Sequence, residues 1–242
     1  MPSRITCQVH EEPPVTVVRV TGSLDLTTTR QVHHVLQRCL TAQPDALIVD
    51  LAGLRVTDPL ALSVFAAAAR QAAEWPAVPV VLCDPPTETA RHLTETTACR
   101  TLPVQHDCAE ATRLARSSAA PRVRARLEPV AGACRRAREL AAQACERWNL
   151  PDLVGPVSLV LSELVGNVVR HAGTPMDVTL TLRPPYLHLA VADRCATAVR
   201  PRDPGSHAEG GRGLMLVREL TQRWGSLTAG DRKVVWAILP AG

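Results

Sequence analysis

The order of predicted strands and helices changes at one point, and this change constrains the fold more than any other feature of the sequence. Residues 115–124, ARSSAAPRVR, lose apolar periodicity and collect serine, alanine, proline and arginine, as linkers between packed units do. Before this segment short apolar runs alternate with helical patterns, whereas after it helical patterns come first and alternating strands follow. A chain of 242 residues has room for two such units. We predict a first domain at residues 1–114, a linker at 115–122 and a second domain at 123–242.

The first domain has the pattern of a layered α/β structure. Residues 15–20, 46–50 and 78–83 are short apolar runs that suit the strands of a buried sheet. Residues 27–42 and 59–74 between them place apolar side chains at helical spacing, and the second of these segments begins with a proline. Strands that alternate with helices predict an α/β domain with a largely parallel sheet.

The second domain has a different order of elements. Residues 129–148 and 156–170 show helical periodicity, and residues 176–182 and 187–191 then alternate between apolar and polar positions. A glycine-rich loop, a helix over about 212–223 and two closing strands complete the pattern. We predict an α+β two-layer sandwich in which helices cover one face of an antiparallel sheet.

Composition excludes several classes of protein. Hydrophobic residues make up 46% and charged residues 21% of the chain, as in soluble globular proteins. No uncharged stretch approaches the roughly 18 apolar residues of a membrane span. The N-terminal sequence MPSRITCQVHEEPP lacks the apolar core of a signal peptide. We expect a cytoplasmic protein with no membrane partner.

The charged and sulfur-containing residues narrow the range of partners and ligands. The net charge is only +4 and aromatic residues are 2% of the chain, which argues against a nucleic-acid partner. The eight cysteines form no C-x-x-C pair. We expect them to be small, buried thiols.

One predicted helix of the second domain carries polar groups suited to phosphate chemistry. Residues four apart are neighbours on a helix, so Glu163, Asn167 and either Arg170 or His171 share one face. An amide oxygen is a ligand that Mg²⁺ accepts beside substrate phosphates, and a carboxylate can deprotonate an attacking hydroxyl. Taken alone, the same pattern also fits a solvated polar face.

Two further features follow in the sequence. Asp193 ends the apolar strand HLAVAD, where its carboxylate could accept a hydrogen bond from the exocyclic amine of adenine. The segment EGGRGL at 209–214 opens a helix, where bare backbone N–H groups and the helix dipole attract phosphate. Each is weak alone, because aspartate is common after strands and glycine clusters are often only turns.

Together and in this order, these features resemble the histidine-kinase-type ATPases, the GHKL or Bergerat group. Within that group they are similar to the anti-sigma-factor serine kinases, whose helix reads E-L-x-x-N-x-x-x-H-A. Here Glu163, Leu164, Asn167, His171 and Ala172 match that motif, and GRGLMLV at 211–217 and RWG at 223–225 match two later ones. The resemblance covers residues 121–242.

The resemblance implies ATP and Mg²⁺ as cofactors and the Bergerat fold. It implies that Asn167 holds the Mg²⁺ ion, that Glu163 is the catalytic base, and that Asp193 recognises adenine. Residues 210–213 would close over the phosphates. The nucleotide-binding residues predicted in this way are Asn167, Arg170, His171, Asp193, Gly210, Gly211, Arg212, Gly213 and Leu214.

The sequence departs from the family at the base-binding motif. The family's D-x-G-x-G reads DRCAT here, so Cys195 and Thr197 stand where glycine lets the backbone approach the nucleotide. The closing strand of the family begins with a threonine that helps the aspartate to hold adenine, and Val234 is assigned to that place. These departures would weaken adenine recognition.

The first domain resembles the STAS domain of anti-sigma-factor antagonists over residues 4–112. The turn GSLD at 22–25 and the segment VDLAGL at 49–54, followed by VTD, carry this resemblance. Antagonists of this family have D-S-S-G-L, whose second serine is phosphorylated, whereas this chain reads DPLAL at 58–62. Leu60 has no hydroxyl group, so the family's phosphoserine cannot form there.

The sequence is compatible with two functions, both in partner-switching regulation. In the first, the protein is a kinase that transfers the γ-phosphate of ATP to a serine on a separate STAS antagonist, which the intact Glu163 and Asn167 favour. In the second, it is a non-catalytic nucleotide-binding module whose degenerate STAS domain docks partners, which Cys195, Thr197 and Val234 favour. The expected partners are a sigma factor, a STAS antagonist or both, and a homodimer is compatible with either function.

Overall fold

A computed structural model describes residues 4–117, 119–194 and 212–241. Contacts between residues divide the chain into two compact units, Met1–Ala119 and Ala120–Gly242. The last helix before this boundary ends at Ser117, and the first strand after it begins at Arg122. This helix and this strand therefore each include residues of the segment 115–122, which the sequence suggests as a linker.

The first unit is an α/β domain, as predicted. Its five-stranded sheet has the order β1-β2-β3-β4-β5, in which β1 and β2 are antiparallel and the remaining neighbours are parallel. The strands are β1 (Ile5–Glu12), β2 (Val15–Leu24), β3 (Ala46–Val56), β4 (Val80–Cys83) and β5 (Val104–Gln105); the helices are α1 (Thr29–Thr41), α2 (Ser63–Glu74), α3 (Thr87–Glu95) and α4 (Cys108–Ser117).

Apolar periodicity explains how the helices of this unit pack. Successive residues of β3 from Ala46 to Leu51 are buried, as in a central parallel strand covered on both faces. Helix α1 buries Val32, Leu36 and Leu40, which lie on the stripe expected from the sequence. The helix expected from residue 59 begins instead with the 3-10 turn Pro59–Leu62, and α2 continues from it.

A disulfide contradicts part of the cysteine prediction. Cys83 at the end of β4 is bonded to Cys108, the first residue of α4, so these two residues are not free thiols. Cys39, in contrast, is a buried free thiol, and burial raises its pKa to about 12. Of the other described thiols, Cys99 and Cys145 are buried, whereas Cys7 and Cys134 are half-buried.

The second unit is the predicted α+β sandwich with one additional strand. Strand β6 precedes the helices, and the sequence did not predict it because its arginines obscure the alternation of RVRARL. The sheet has the order β6-β7-β8-β10-β9 and is antiparallel throughout. The elements are β6 (Arg122–Leu127), α5 (Ala133–Arg147), α6 (Val154–His171), β7 (Met176–Arg183), β8 (Tyr186–Asp193), α7 (Arg212–Leu220), β9 (Arg223–Ala229) and β10 (Arg232–Pro240).

The core of the second unit lies between the helices and one face of the sheet. Because side chains alternate along a strand, Leu187, Leu189 and Val191 of β8 share one face, and Val235 and Ala237 of β10 belong to the same buried cluster. The buried stripes of α5 and α6 pack against them; these stripes contain Ala137, Ala141, Ala144, Val157, Val160, Leu161, Leu164, Val165 and Val168.

Helix α6 is also the most apolar long helix in the described part of the chain. The segment Pro151–His171 is long and apolar enough to cross a membrane by length and composition alone, which we did not expect from the sequence. Its Val157, Leu161 and Leu164 are buried in the core, and it packs against α5. These contacts are those of a core helix.

The opposite face of the sheet contains a buried histidine that makes stability depend on pH. Burial, together with the charge of Arg183, lowers the pKa of His188 to about 4. The pKa of an unfolded histidine is about 6.5. The folded protein therefore binds the proton less tightly than the unfolded chain, and stability present above pH 6.5 is lost as the pH falls towards 4.

We expect the free energy of unfolding to fall by about 1.4 kcal/mol for each pH unit between about 6.5 and 4 because of this one group, and by about 3 kcal/mol in all. Denaturant unfolding of the full chain at pH 7, 6 and 5 would measure it. The His188→Gln variant is the control, because its remaining pH dependence comes from other groups. Parallel pH curves for the two proteins would contradict the prediction.

Candidate functional site

Helix α6 brings three of the predicted site residues together. Arg170 Nη2 donates a hydrogen bond to Asn167 Oδ1 at 3.0 Å and lies 3.7 Å from Glu163 Oε2. Gly166 leaves room for this arrangement, because a Cβ atom there would lie 3.2 Å from Arg170 Nη1. The carboxylate and the amide oxygen thus share one cation on the helix surface. His171, which was predicted with them, is exposed at the end of the helix.

The chemistry of this group suits a metal ion that is bound together with a ligand. Glu163 and Arg170 are partly exposed, so their ion pair is screened by water and contributes little to stability. A neutral amide oxygen next to a carboxylate is an oxygen donor set of the kind that Mg²⁺ accepts. Because a guanidinium already lies against both oxygens, this surface accommodates positive charge.

The first turn of α7 lies directly on this group. A Cβ atom on Gly213 would overlap the carboxylate of Glu163, so only a glycine allows the backbone so close with Glu163 in this position. The N-terminus of a helix carries partial positive charge and unpaired N–H groups, which favour anions. Of the other predicted loop residues, Arg212 and Leu214 belong to α7, and Gly210 and Gly211 lie outside the described residues.

Asp193, the residue predicted to recognise adenine, has a charged neighbour that was not predicted from the sequence. Asp193 is the last residue of β8 and pairs directly with Lys233 of β10. Lys233 Nζ lies 3.5 Å from Asp193 Oδ2, and the two side chains are 10% and 0% exposed. Because side chains alternate between the two faces along each strand, both residues lie on the helix-facing side of the sheet, as Val191 and Val235 do.

This register corrects the assignment of Val234. Val234 pairs with Ala192, so its side chain points to the face of the sheet opposite to Asp193. The residue opposite the aspartate is Lys233. Two signals in the sequence could have revealed it: Lys233 is the only lysine of the chain, and it lies two residues before the core residue Val235. Cys195 and Thr197 lie outside the described residues.

The first unit presents a separate surface at the position of the missing serine. Asp58 caps the turn by accepting a hydrogen bond from the Leu60 backbone N–H at 2.9 Å, and the Leu60 side chain is 69% exposed. The nearest hydroxyl groups are already engaged: Thr57 Oγ1 donates to the Leu24 carbonyl at 3.0 Å, and Ser63 Oγ donates to the Leu60 carbonyl at 2.7 Å.

Comparison with protein families confirms both resemblances. Residues 123–239 match the family model of the histidine kinase-like ATPase domain, and residues 6–111 match that of the STAS domain. Among curated proteins, none matches the chain.

Three solved structures that are similar to the chain each cover less than half of it. An anti-sigma factor antagonist from Mycobacterium paratuberculosis is 26% identical with a TM-score of 0.40; the match covers 48% of this chain and 97% of the antagonist. A putative anti-sigma factor antagonist from Thermotoga maritima is 14% identical with a TM-score of 0.40, and the match covers 46% of this chain and 94% of that one. The histidine kinase domain of a blue-light activated kinase from Erythrobacter litoralis is 16% identical with a TM-score of 0.32, over 43% of this chain and 60% of the kinase domain.

The close approach of α7 to Glu163 can be measured with two matched glycines. Gly155 and Gly213 are each the second residue of a helix, but a Cβ atom on Gly155 meets nothing within 4 Å. We expect Gly155→Ala to raise the free energy of unfolding by up to about 0.5–1 kcal/mol, as alanine does in helices. Gly213→Ala should lack this gain, because its methyl group must displace the carboxylate. Equal gains in chemical denaturation of the two variants would contradict the contact.

Proposed function

We propose, for a chain that joins a STAS domain to a histidine kinase-like ATPase domain, that the second domain binds ATP with Mg²⁺ and that the protein is a partner-switching regulator. The observation that carries the proposal is the convergence of Glu163, Asn167 and the first turn of α7 on one surface. A cation-binding pair of oxygens beside a helix N-terminus is what a nucleotide phosphate with its metal ion requires.

Each residue has a distinct role in this proposal. Asn167 would hold the Mg²⁺ ion through Oδ1, in place of the hydrogen bond that this oxygen accepts from the Arg170 guanidinium in the structure. Arg170 would then be free to turn towards the phosphates, since its side chain is half-exposed. Gly213 lets α7 approach closely enough for its N-terminal N–H groups to face the same phosphates.

A kinase reaction is the first candidate activity. ATP, when bound, would supply the γ-phosphoryl group: the serine oxygen would bond to the γ-phosphorus, the bond from that phosphorus to the β–γ bridging oxygen would break, and ADP would leave. Glu163 would accept the proton of the attacking serine hydroxyl, and a positioned base of this kind contributes about 10²–10⁴-fold to a rate. The carboxylate is partly exposed and therefore accessible to a hydroxyl from another protein. We infer that the acceptor is a separate STAS antagonist that retains its serine.

The non-catalytic module is the second candidate, and Leu60 is the observation that favours it. An exposed apolar side chain at the position of the phosphoserine can contact a partner but cannot be released from it by phosphorylation. Such a STAS domain would act as a constant docking element. The partner would be a sigma factor or a STAS antagonist, and nucleotide in the second domain would then regulate docking without turnover.

Nucleotide binding is tested by calorimetry on the full chain with ATP, in the presence and absence of Mg²⁺. We expect Mg²⁺ to strengthen binding and Asn167→Ala to weaken binding in Mg²⁺ at least tenfold, about 1.4 kcal/mol, because the metal loses a ligand. Gln143→Ala, which removes an exposed amide from α5, is the control and should bind as the wild type does. No binding heat at millimolar ATP would contradict the proposal.

The two candidate activities are separated by a phosphorylation assay with labelled ATP, a separate antagonist that contains D-S-S-G-L, and mass spectrometry. We expect phosphate on the antagonist and none on Thr57 or Ser63, because the hydroxyls of both residues are hydrogen-bonded to backbone carbonyls. Glu163→Gln should lower the rate at least 100-fold and retain ATP binding.

Three outcomes of this assay have different meanings. Equal phosphorylation by the wild type, Glu163→Gln and Asn167→Ala would assign the activity to a contaminant. Unphosphorylated antagonist, together with intact ATP binding, would favour the non-catalytic module. Phosphate on Ser63 or Thr57 that disappears in Asn167→Ala would contradict our interpretation of the first domain.

A further inference from the structure

Lys233 places a second charge where a nucleotide base is expected. It is directly opposite Asp193 across β8 and β10, with 3.5 Å between Nζ and Oδ2. Both side chains lie on the helix-facing side of the sheet, and both are largely withdrawn from water. The remaining 26 basic residues of the chain are arginines, so the chain's single lysine is at this position.

The two side chains present complementary hydrogen-bonding groups next to each other. A carboxylate only accepts hydrogen bonds, and an ammonium group only donates them. A lone carboxylate can recognise an exocyclic amine, as on adenine, but it repels a carbonyl oxygen at the same place. An ammonium group beside it removes that restriction, because it donates to the carbonyl.

The Watson–Crick edge of guanine fits such a pair. Guanine has a carbonyl oxygen at position 6, an N–H at position 1 and an amine at position 2, which are one acceptor followed by two donors. Lys233 could donate to the 6-carbonyl while the two oxygens of Asp193 accept from N1–H and the 2-amine. Adenine offers its 6-amine and its ring N1, one donor and one acceptor, and so forms one bond fewer with the same pair.

The geometry leaves the ammonium group able to turn towards a ligand. A charge-assisted N–H···O bond is about 2.7–2.9 Å long, so at 3.5 Å Lys233 is not tightly bonded to Asp193 Oδ2. A lysine is a compact charge on a flexible stem with three donors. It can therefore keep its attraction to the carboxylate while it donates to a carbonyl beside it. An arginine here would instead form a rigid, two-point contact with the aspartate.

We propose that Lys233 is a base-recognition residue that admits 6-oxopurines, so that the second domain binds GTP at least as tightly as ATP. The inference rests on the proposed function, because it assumes that a nucleotide binds with its base at Asp193. It adds a specificity that neither the STAS nor the ATPase family model assigns. Lys233 acts on the 6-carbonyl, and Asp193 acts on N1–H and the 2-amine.

Calorimetry of the full chain with Mg²⁺ and either GTP or ATP tests the proposal. For the wild type we expect a dissociation constant for GTP equal to or below that for ATP. Lys233→Thr should weaken GTP binding at least tenfold and ATP binding by a smaller factor, because GTP loses a charge-assisted bond to its 6-carbonyl while the threonine hydroxyl can still donate to N1 of adenine. Arg232→Gln is the matched control, since it removes one positive charge from the preceding residue, which points to the other face of the sheet.

A second measurement needs no variant, in case removal of Lys233 leaves Asp193 buried without its counter-charge and the protein unfolds. Protein labelled with ¹³C and ¹⁵N in lysine contains a single labelled side chain. We expect its Cε and Nζ resonances to shift on addition of GTP with Mg²⁺, and to shift differently with ATP, because the two bases offer Lys233 different acceptors.

The outcomes distinguish this proposal from the one on which it rests. ATP binding with GTP at least tenfold weaker in the wild type would overturn the role of Lys233 and leave the proposed function intact. Tight GTP binding that Lys233→Thr does not weaken, with lysine resonances that do not move, would also overturn it. Binding of neither nucleotide would overturn both proposals.

Discussion

The packing of helix α6 is the constraint on which the second domain depends. Its buried stripe, which includes Val157, Leu161, Leu164 and Val168, is held between α5 and the sheet and determines how the helix is rotated. Glu163 and Asn167 lie outside that stripe and are one helical turn apart, so the same rotation presents both to the surface together. The polar group is therefore positioned by apolar packing, because its own partly exposed ion pair is too weak to hold it.

The alternation of side chains along β8 and β10 likewise positions the other charged residues of the site. The core residues Val191 and Val235 require that the residues two positions away, Asp193 and Lys233, face the helices as well. A charged pair is thereby carried to the helix-facing side at the end of the sheet, where burial of either charge alone would be costly. The pairing of opposite charges offsets the cost of burying each one, so the aspartate and the lysine act as one charged pair.

The sequence predicted those features that periodicity controls. The stripe of α1, the α/β and α+β classes and the shared face of Glu163 and Asn167 all follow from the spacing of apolar residues, and the structure confirms them. The features that the sequence did not predict depend on contacts between residues far apart in the chain. Strand β6 is stabilised by pairing with β7, the Cys83–Cys108 bond joins residues 25 apart, and the partner of Asp193 is set by the register of β10. The local spacing of apolar residues does not specify such pairings. At Lys233 the only signals were that it is the single lysine of the chain and that it lies two residues before Val235.

The two domains together restrict how such a protein can be regulated. A STAS domain with a serine at position 60 could be switched by a covalent charge, but Leu60 is exposed and the neighbouring Thr57 and Ser63 hydroxyls are engaged with the backbone. On the proposed function, the first domain therefore has one constant state. Any switching must come from the second domain, where the occupant of the Asn167 and Asp193 sites can change. If Lys233 admits guanine nucleotides, the signal would be the ratio of purine nucleotides, which a kinase specific for adenine could not sense.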